Sequence, residues 1–149
     1  MAQNEAYIEA APEHVWAVLC DPYAYPRWVV GSKQTLEADA EWPEPGSAFR
    51  VRVGAGPLSW EDRTEARECE PGRRLKLHAG GGGVAGATVE ITLRAEGPGT
   101  HVTLVETPGG LSAPLRAVPP VHWTIKARNV ESLRRLKRIA EARPAAVAA

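Results

Sequence analysis

The stretch VHWTIKARNVESLRRLKRIAEA, Val121–Ala142, decides the fold. Advanced at about 100° per residue, it places Leu133, Leu136 and Ala140 on one arc, with Val130 at its edge. Arg128, Glu131, Arg134, Arg135, Arg138 and Glu141 fall in the opposite half-turn. That pattern is a solvated outer face and not a nucleic-acid or membrane surface. His122, Lys126 and Asn129 project onto the inner arc ahead of the leucines. The inner stripe of this helix is therefore apolar in its second half and polar in its first. Pro144 ends the helix, and residues 144–149 read as a disordered Ala-rich tail. Residues 1–143 are expected to form a single domain.

A helix with one apolar stripe needs an apolar surface to cover, and the preceding chain supplies it. From about residue 30 to 107 the pattern has period two. Phe49, Val51 and Val53 alternate with Arg50 and Arg52, and Leu58, Trp60, Asp62, Thr64 and Ala66 alternate with polar residues. Leu75/Leu77, Val89/Ile91/Leu93 and Val102/Leu104 continue it. The turn signals WPEPGS, GAGP, EPGR, GGGG and EGPG separate these runs, so consecutive strands form an antiparallel meander. Tyr7 and Ile8 lie in a short segment suited to an edge strand. Pro12 suits the first position of a helix carrying Val15, Val18 and Leu19 on one face. Asp21 and Pro22 end it and start a second short helix, PYAYPRW, which Pro26 is expected to break. The expected fold is α+β: an antiparallel sheet wrapped around a long C-terminal helix, with two short helices after the first strand.

Composition excludes several functions. The 149 residues carry 18 basic and 18 acidic side chains, so a nucleic-acid partner, which needs a basic surface, is not expected. No apolar run approaches the roughly 18 residues that span a bilayer, so no membrane insertion is expected. The N-terminal MAQNEAYIEA lacks the basic and apolar regions of a secretion signal, which makes a cytoplasmic location the expectation. Cys20 and Cys69 form no CxxC and no disulfide framework, and neither looks like a nucleophile. His14, His78, His101 and His122 have no metal-ligand spacing, so no metal and no cofactor are expected. GGGVAG at 81–86 matches GxGxxG, but the period-two ATVEITLR follows it where a dinucleotide site needs a helix. Those glycines read instead as a flexible hairpin flanking a cavity mouth.

The order of elements resembles the helix-grip (SRPBCC) superfamily of START lipid-transfer domains, the birch-pollen allergen and polyketide cyclase/dehydrase-like proteins. The resemblance to the last branch covers nearly the whole chain. Its carriers are IEAAPEHVWAVLCDPYAYPRW (8–28), WPEPGSAFRV (42–51), ECEPGRRLKL (68–77), GPGTHVTLVET (97–107) and NVESLRRLKRIAE (129–141). None is a catalytic signature. The resemblance implies a START-like cavity between sheet and long helix, in which family members bind or transform quite different ligands, so it carries fold and not function.

Strand parity and helical phase name the residues for such a cavity. Asp62 shares parity with Leu58 and Trp60, and Glu106 with Val102 and Leu104, so both acids face inward unless a bulge intervenes. Five Trp against one Phe suit cavity walls and rims, because the indole keeps a polar handle. Candidate ligand-binding residues are Trp28, Val51, Trp60, Asp62, Leu77, Ile91, Leu104, Glu106, His122, Lys126, Asn129 and Leu133. Candidate acid/base groups are Asp62, Glu106 and His122. Two arrangements fit the polar half-stripe. Either Lys126 points inward and pairs with Asp62 or Glu106, or it snorkels to solvent, with His122 in a frayed first turn and Glu106 at an open sheet end. Trp28, Trp60 and Trp123 are open between cavity and core.

Three functions follow in order. The first is a carrier or sensor of a small hydrophobic or polyketide-like molecule, acting as monomer or homodimer. The second is a cofactor-independent polyketide cyclase- or dehydratase-like enzyme. The third is an interaction module whose cavity is filled by side chains. A carboxylate-free cavity favours the first, a carboxylate within reach of His122 the second, and a cavity too small for ligand the third.

Overall fold

The computed structural model describes residues 2–80, 86–108 and 119–142, the last stretch with side chains from residue 124 onward. Strand β1 (Ala2–Ile8) is followed by helix α1 (Pro12–Leu19), a 3-10 turn (Pro22–Ala24) and helix α2 (Tyr25–Trp28). Strands β2 (Ser32–Ala38), β3 (Ala48–Ala55), β4 (Leu58–Glu70), β5 (Arg74–Ala79), β6 (Ala87–Glu96) and β7 (Gly99–Pro108) come next. Helix α3 (Pro119–Ala142) is the last described element. The expected α+β helix-grip is the fold observed.

All seven strands lie in one antiparallel sheet, ordered β1-β7-β6-β5-β4-β3-β2. The first strand thus joins the last, with Ala2 opposite Glu106 and Ile8 opposite Thr100. The edge strand expected around Tyr7 and Ile8 is longer than its short apolar signal, because Ala2, Asn4 and Ile8 alternate inward. The sheet curves around α3, which packs on β1, α1 and α2. Its buried positions are Ile125, Asn129, Ser132, Leu133, Leu136 and Ala140. They recur at i, i+4, i+7, i+8, i+11 and i+15, one helical face.

Local signals explain the short elements. Asp21 accepts a hydrogen bond from the Tyr23 backbone N–H at 3.0 Å and caps the 3-10 turn. Pro26 does not break the segment as expected. It falls within the first turn of α2, where a missing N–H costs nothing. Gly54, near the end of β3 and opposite Ser59 of β4, has φ +152°, and a Cβ there would clash with the Leu58 carbonyl.

One end of the sheet is closed by aromatic packing. Phe49 lies 5.0 Å from Tyr25 and 4.7 Å from Trp42, centroid to centroid. The Tyr25 hydroxyl and the Trp42 indole N–H both donate to the Leu19 carbonyl, at 2.8 and 3.2 Å. These rings satisfy the open C-terminal end of α1 while filling the core. Burial pushes the Tyr25 hydroxyl pKa well above its ordinary value.

Candidate functional site

Beside this aromatic cluster, sheet and helix α3 are not packed together throughout. A cavity of about 530 Å³ remains between them, within the range of small-molecule pockets. Inward parity builds its floor. Val51 and Val53 face it from β3, Leu77 from β5, Val89 and Ile91 from β6, and Leu104 from β7. Tyr25, Trp28 and the Val29–Ser32 link form one side, and Arg128, Asn129 and Ser132 of α3 the roof. The link is tied to the roof by the Val30 backbone N–H, which donates to Ser132 Oγ at 3.0 Å. Leu58 and Trp60, on the first residues of β4, line the cavity yet remain largely exposed, so they form its rim.

The polar end of the cavity is built around Glu106. It sits on the inward face of β7, 3 % exposed. Its Oε1 accepts from the Arg128 guanidinium at 2.6 Å and from Asn129 Nδ2 at 3.3 Å. A buried carboxylate is tolerable only with such donors. The Arg128 side chain is 38 % exposed and reaches from the mouth inward. Asp62 also lines the cavity, and its Oδ1 accepts from the Arg63 backbone N–H at 2.8 Å. The bulge in β4 falls between Ala66 and Glu68, beyond Asp62, so the inward parity of Asp62 holds.

Of the expected cavity residues, Trp28, Val51, Trp60, Asp62, Leu77, Ile91, Leu104, Glu106 and Asn129 line it. Of the other three, two do not stand there and one is not described. His122 lies outside the described side chains, as does Trp123. Leu133 is buried in the core beyond the cavity, one turn past Asn129. Lys126 is exposed, which corrects the inward pairing expected of it. The reason is lateral. The flank of α3 that carries Lys126 lies along β1, where Asn4 Nδ2 donates to the Lys126 carbonyl at 3.3 Å and Lys137 donates to the Tyr7 carbonyl at 3.0 Å. The cavity lies against the opposite flank, which carries Arg128 and Ser132. Arg128 was expected on the solvated outer face and is instead the cation that answers Glu106. Its signal in the sequence is Ser132, a small polar residue one turn on along the same flank. Glu131, Arg134 and Arg135 do form the outer face, paired at 2.9 and 3.1 Å.

The hairpin expected at the mouth falls on residues 81–85, outside the described residues. Among the described residues, no group of three or more His, Cys, Asp or Glu could hold a metal ion, and no helix is long and apolar enough to cross a membrane. Burial, with Cys69 nearby, pushes the Cys20 thiol up to about 11, and burial raises Cys69 too. Both remain thiols near neutral pH, which agrees with the absence of nucleophile signals around them.

This architecture is that of a known class. The chain belongs to the polyketide cyclase / dehydrase and lipid transport family, whose model matches residues 2–141. Among solved structures it is similar to Ara h 8.0201, at TM-score 0.73 and 10 % identity, covering 95 % of this chain and 97 % of that one. A protein from Chromobacterium violaceum matches at TM-score 0.72 and 22 % identity, covering 95 % and 96 %. The di-domain ARO/CYC StfQ from the steffimycin biosynthetic pathway matches at TM-score 0.72 and 13 % identity. There the match covers 93 % of this chain and 49 % of StfQ, so the chain spans about half of that protein. No curated protein matches the sequence significantly. These identities carry the fold alone.

Proposed function

We propose that this protein holds a small, largely apolar molecule in the cavity between sheet and helix, as a carrier or sensor. One observation carries this: a cavity of about 530 Å³ with an aliphatic and aromatic wall and one polar end. The ligand's ring or chain system would lie against Val51, Leu77, Ile91 and Leu104, and its polar group at Arg128 and Asn129. A cavity of that volume favours ligand binding over a module filled by its own side chains. Mass spectrometry of small molecules released from natively purified protein tests the proposal. A recurring apolar species in equimolar amount is expected. Protein purified without one, and unable to take up any member of a varied apolar panel, would count against it.

The cavity is not free of carboxylates, and this keeps a second function in view. Asp62 and Glu106 face the same space as Arg128 and Asn129. In a polyketide cyclase- or dehydratase-like reaction, a carboxylate would move a proton beside a ligand carbonyl while the helix donors stabilise the enolate. The carrier ranks first because Glu106 already accepts from Arg128 and Asn129. Asp62→Asn separates the two. A carrier keeps its ligand affinity within a few-fold, whereas an enzyme loses turnover of a model polyketide with binding retained.

A further inference from the structure

Buried polar groups are almost always paired, and the cavity wall holds an exception. Trp28 is 2 % exposed and lines the cavity, and its indole Nε1–H has no hydrogen-bond partner among the described residues. The two other indoles with a role here behave differently. Trp42 donates to the Leu19 carbonyl, and Trp60 stands in solvent at the rim. Trp28 also occupies a specific place. It ends α2, packs against Tyr25 with tilted rings 5.1 Å apart, and precedes the Val29–Ser32 link that Ser132 ties to the roof. A phenyl ring would pack here without stranding a donor. Across the cavity mouth, Arg128 spends one guanidinium N–H on Glu106 and has others to offer.

We infer that Trp28 determines ligand specificity: its indole N–H, brought to the cavity by a turn of the ring about its Cβ–Cγ bond, donates to an acceptor oxygen on the ligand. The inference rests on the proposed ligand-binding cavity and narrows the ligand class. It selects an apolar, ring-sized molecule bearing a carbonyl or other acceptor oxygen over the same skeleton without one. The physics is an asymmetry of pairing. A donor with no protein partner among the described residues gains a hydrogen bond on binding a ketone, and gains none on binding a hydrocarbon.

Benzophenone and diphenylmethane test it, since they differ only by the carbonyl oxygen. Affinities are measured by calorimetry and corrected for each probe's partition into an apolar solvent. Wild-type protein is expected to prefer benzophenone by about five- to tenfold, the value of one neutral hydrogen bond. Trp28→Phe keeps a ring in place and should abolish that preference. Trp16→Phe, away from the cavity, should keep it. Should Trp28→Phe fail to fold, the indole 15N–1H signals of the wild-type protein decide. Benzophenone, and not diphenylmethane, should shift the Trp28 indole proton downfield. If neither probe binds, the cavity proposal falls. If both bind wild type equally after correction, or Trp28→Phe retains the preference, the cavity stands and the role of Trp28 falls.

Discussion

The two halves of helix α3 perform different tasks with one backbone. From Leu133 onward the helix is anchored in the core. Leu133, Leu136 and Ala140 are buried against the sheet and α1, and Lys137 and Glu141 pin the last turns to β1 and the chain after it. Between Ile125 and Ser132 the buried positions are Ile125, Asn129 and Ser132, and the latter two, flanked by Arg128, face a cavity. A fully apolar stripe would have closed down on the sheet. Polar side chains with partners on β7 and on the link after α2 hold this half of the roof in place while leaving space below it. The difference teaches that this chain keeps a cavity open by exchanging packing for hydrogen bonds along part of its longest element.

Substitutions in the two halves should therefore differ in kind. The largest effect is expected from Leu136→Asp, which puts a charge at a fully buried position of the anchoring half. It should cost about 4 kcal/mol or more, enough to unfold most of the protein, as read by thermal or denaturant melts. Leu136→Ala should cost about 2–5 kcal/mol through the cavity it leaves. A midpoint unmoved by either would mean that this half is not part of the core.

In the roofing half, Arg128→Met removes the charged partner of a buried carboxylate but leaves the apolar packing intact. The cost should be smaller, about 1–3 kcal/mol, because the guanidinium is partly exposed and the pair is screened by solvent. Binding of a ligand bearing an acceptor oxygen should fall by about tenfold. Glu106→Gln keeps the shape and the acceptor oxygen, and should weaken the fold by less than Arg128→Met. Equal stability for wild type and Arg128→Met, with unchanged binding, would remove the polar end from the site.

The smallest effect belongs to Lys126→Met. Lys126 is on the same helix, two residues before Arg128, but on the flank over β1 and exposed. The substitution should change stability by about 0.5 kcal/mol or less and leave affinity unaltered. A loss of binding in Lys126→Met that matches that of Arg128→Met would show that the cavity extends under both flanks.

Period-two alternation placed Val51, Leu77, Ile91 and Leu104 on the cavity side, and with them Asp62 and Glu106, because no bulge fell between those acids and their strand neighbours. Helical phase likewise put Asn129, Leu133, Leu136 and Ala140 inward. Phase is an angle about the helix axis and contains nothing about what lies to either side. Lys126 and Arg128 were therefore exchanged: one flank meets β1 and the other the cavity, and only tertiary structure distinguishes them. Parity is equally silent on depth. Trp60 and Leu104 both face the cavity from strands, yet one stands at the rim and the other is buried. The Val29–Ser32 link carries no periodicity, so its place in the wall was not legible.

The central claim is that the space under the first half of α3 is a binding cavity. Titration with a polarity-sensitive dye, anilinonaphthalene sulfonate, tests it most directly when wild type is compared with Val89→Trp. That substitution adds an indole to the cavity floor and leaves the anchoring half untouched. Saturable uptake of one dye per wild-type chain, lost in a Val89→Trp protein that melts at a similar temperature, is the expected result. Equal uptake by both folded proteins, or none by wild type, would contradict the account.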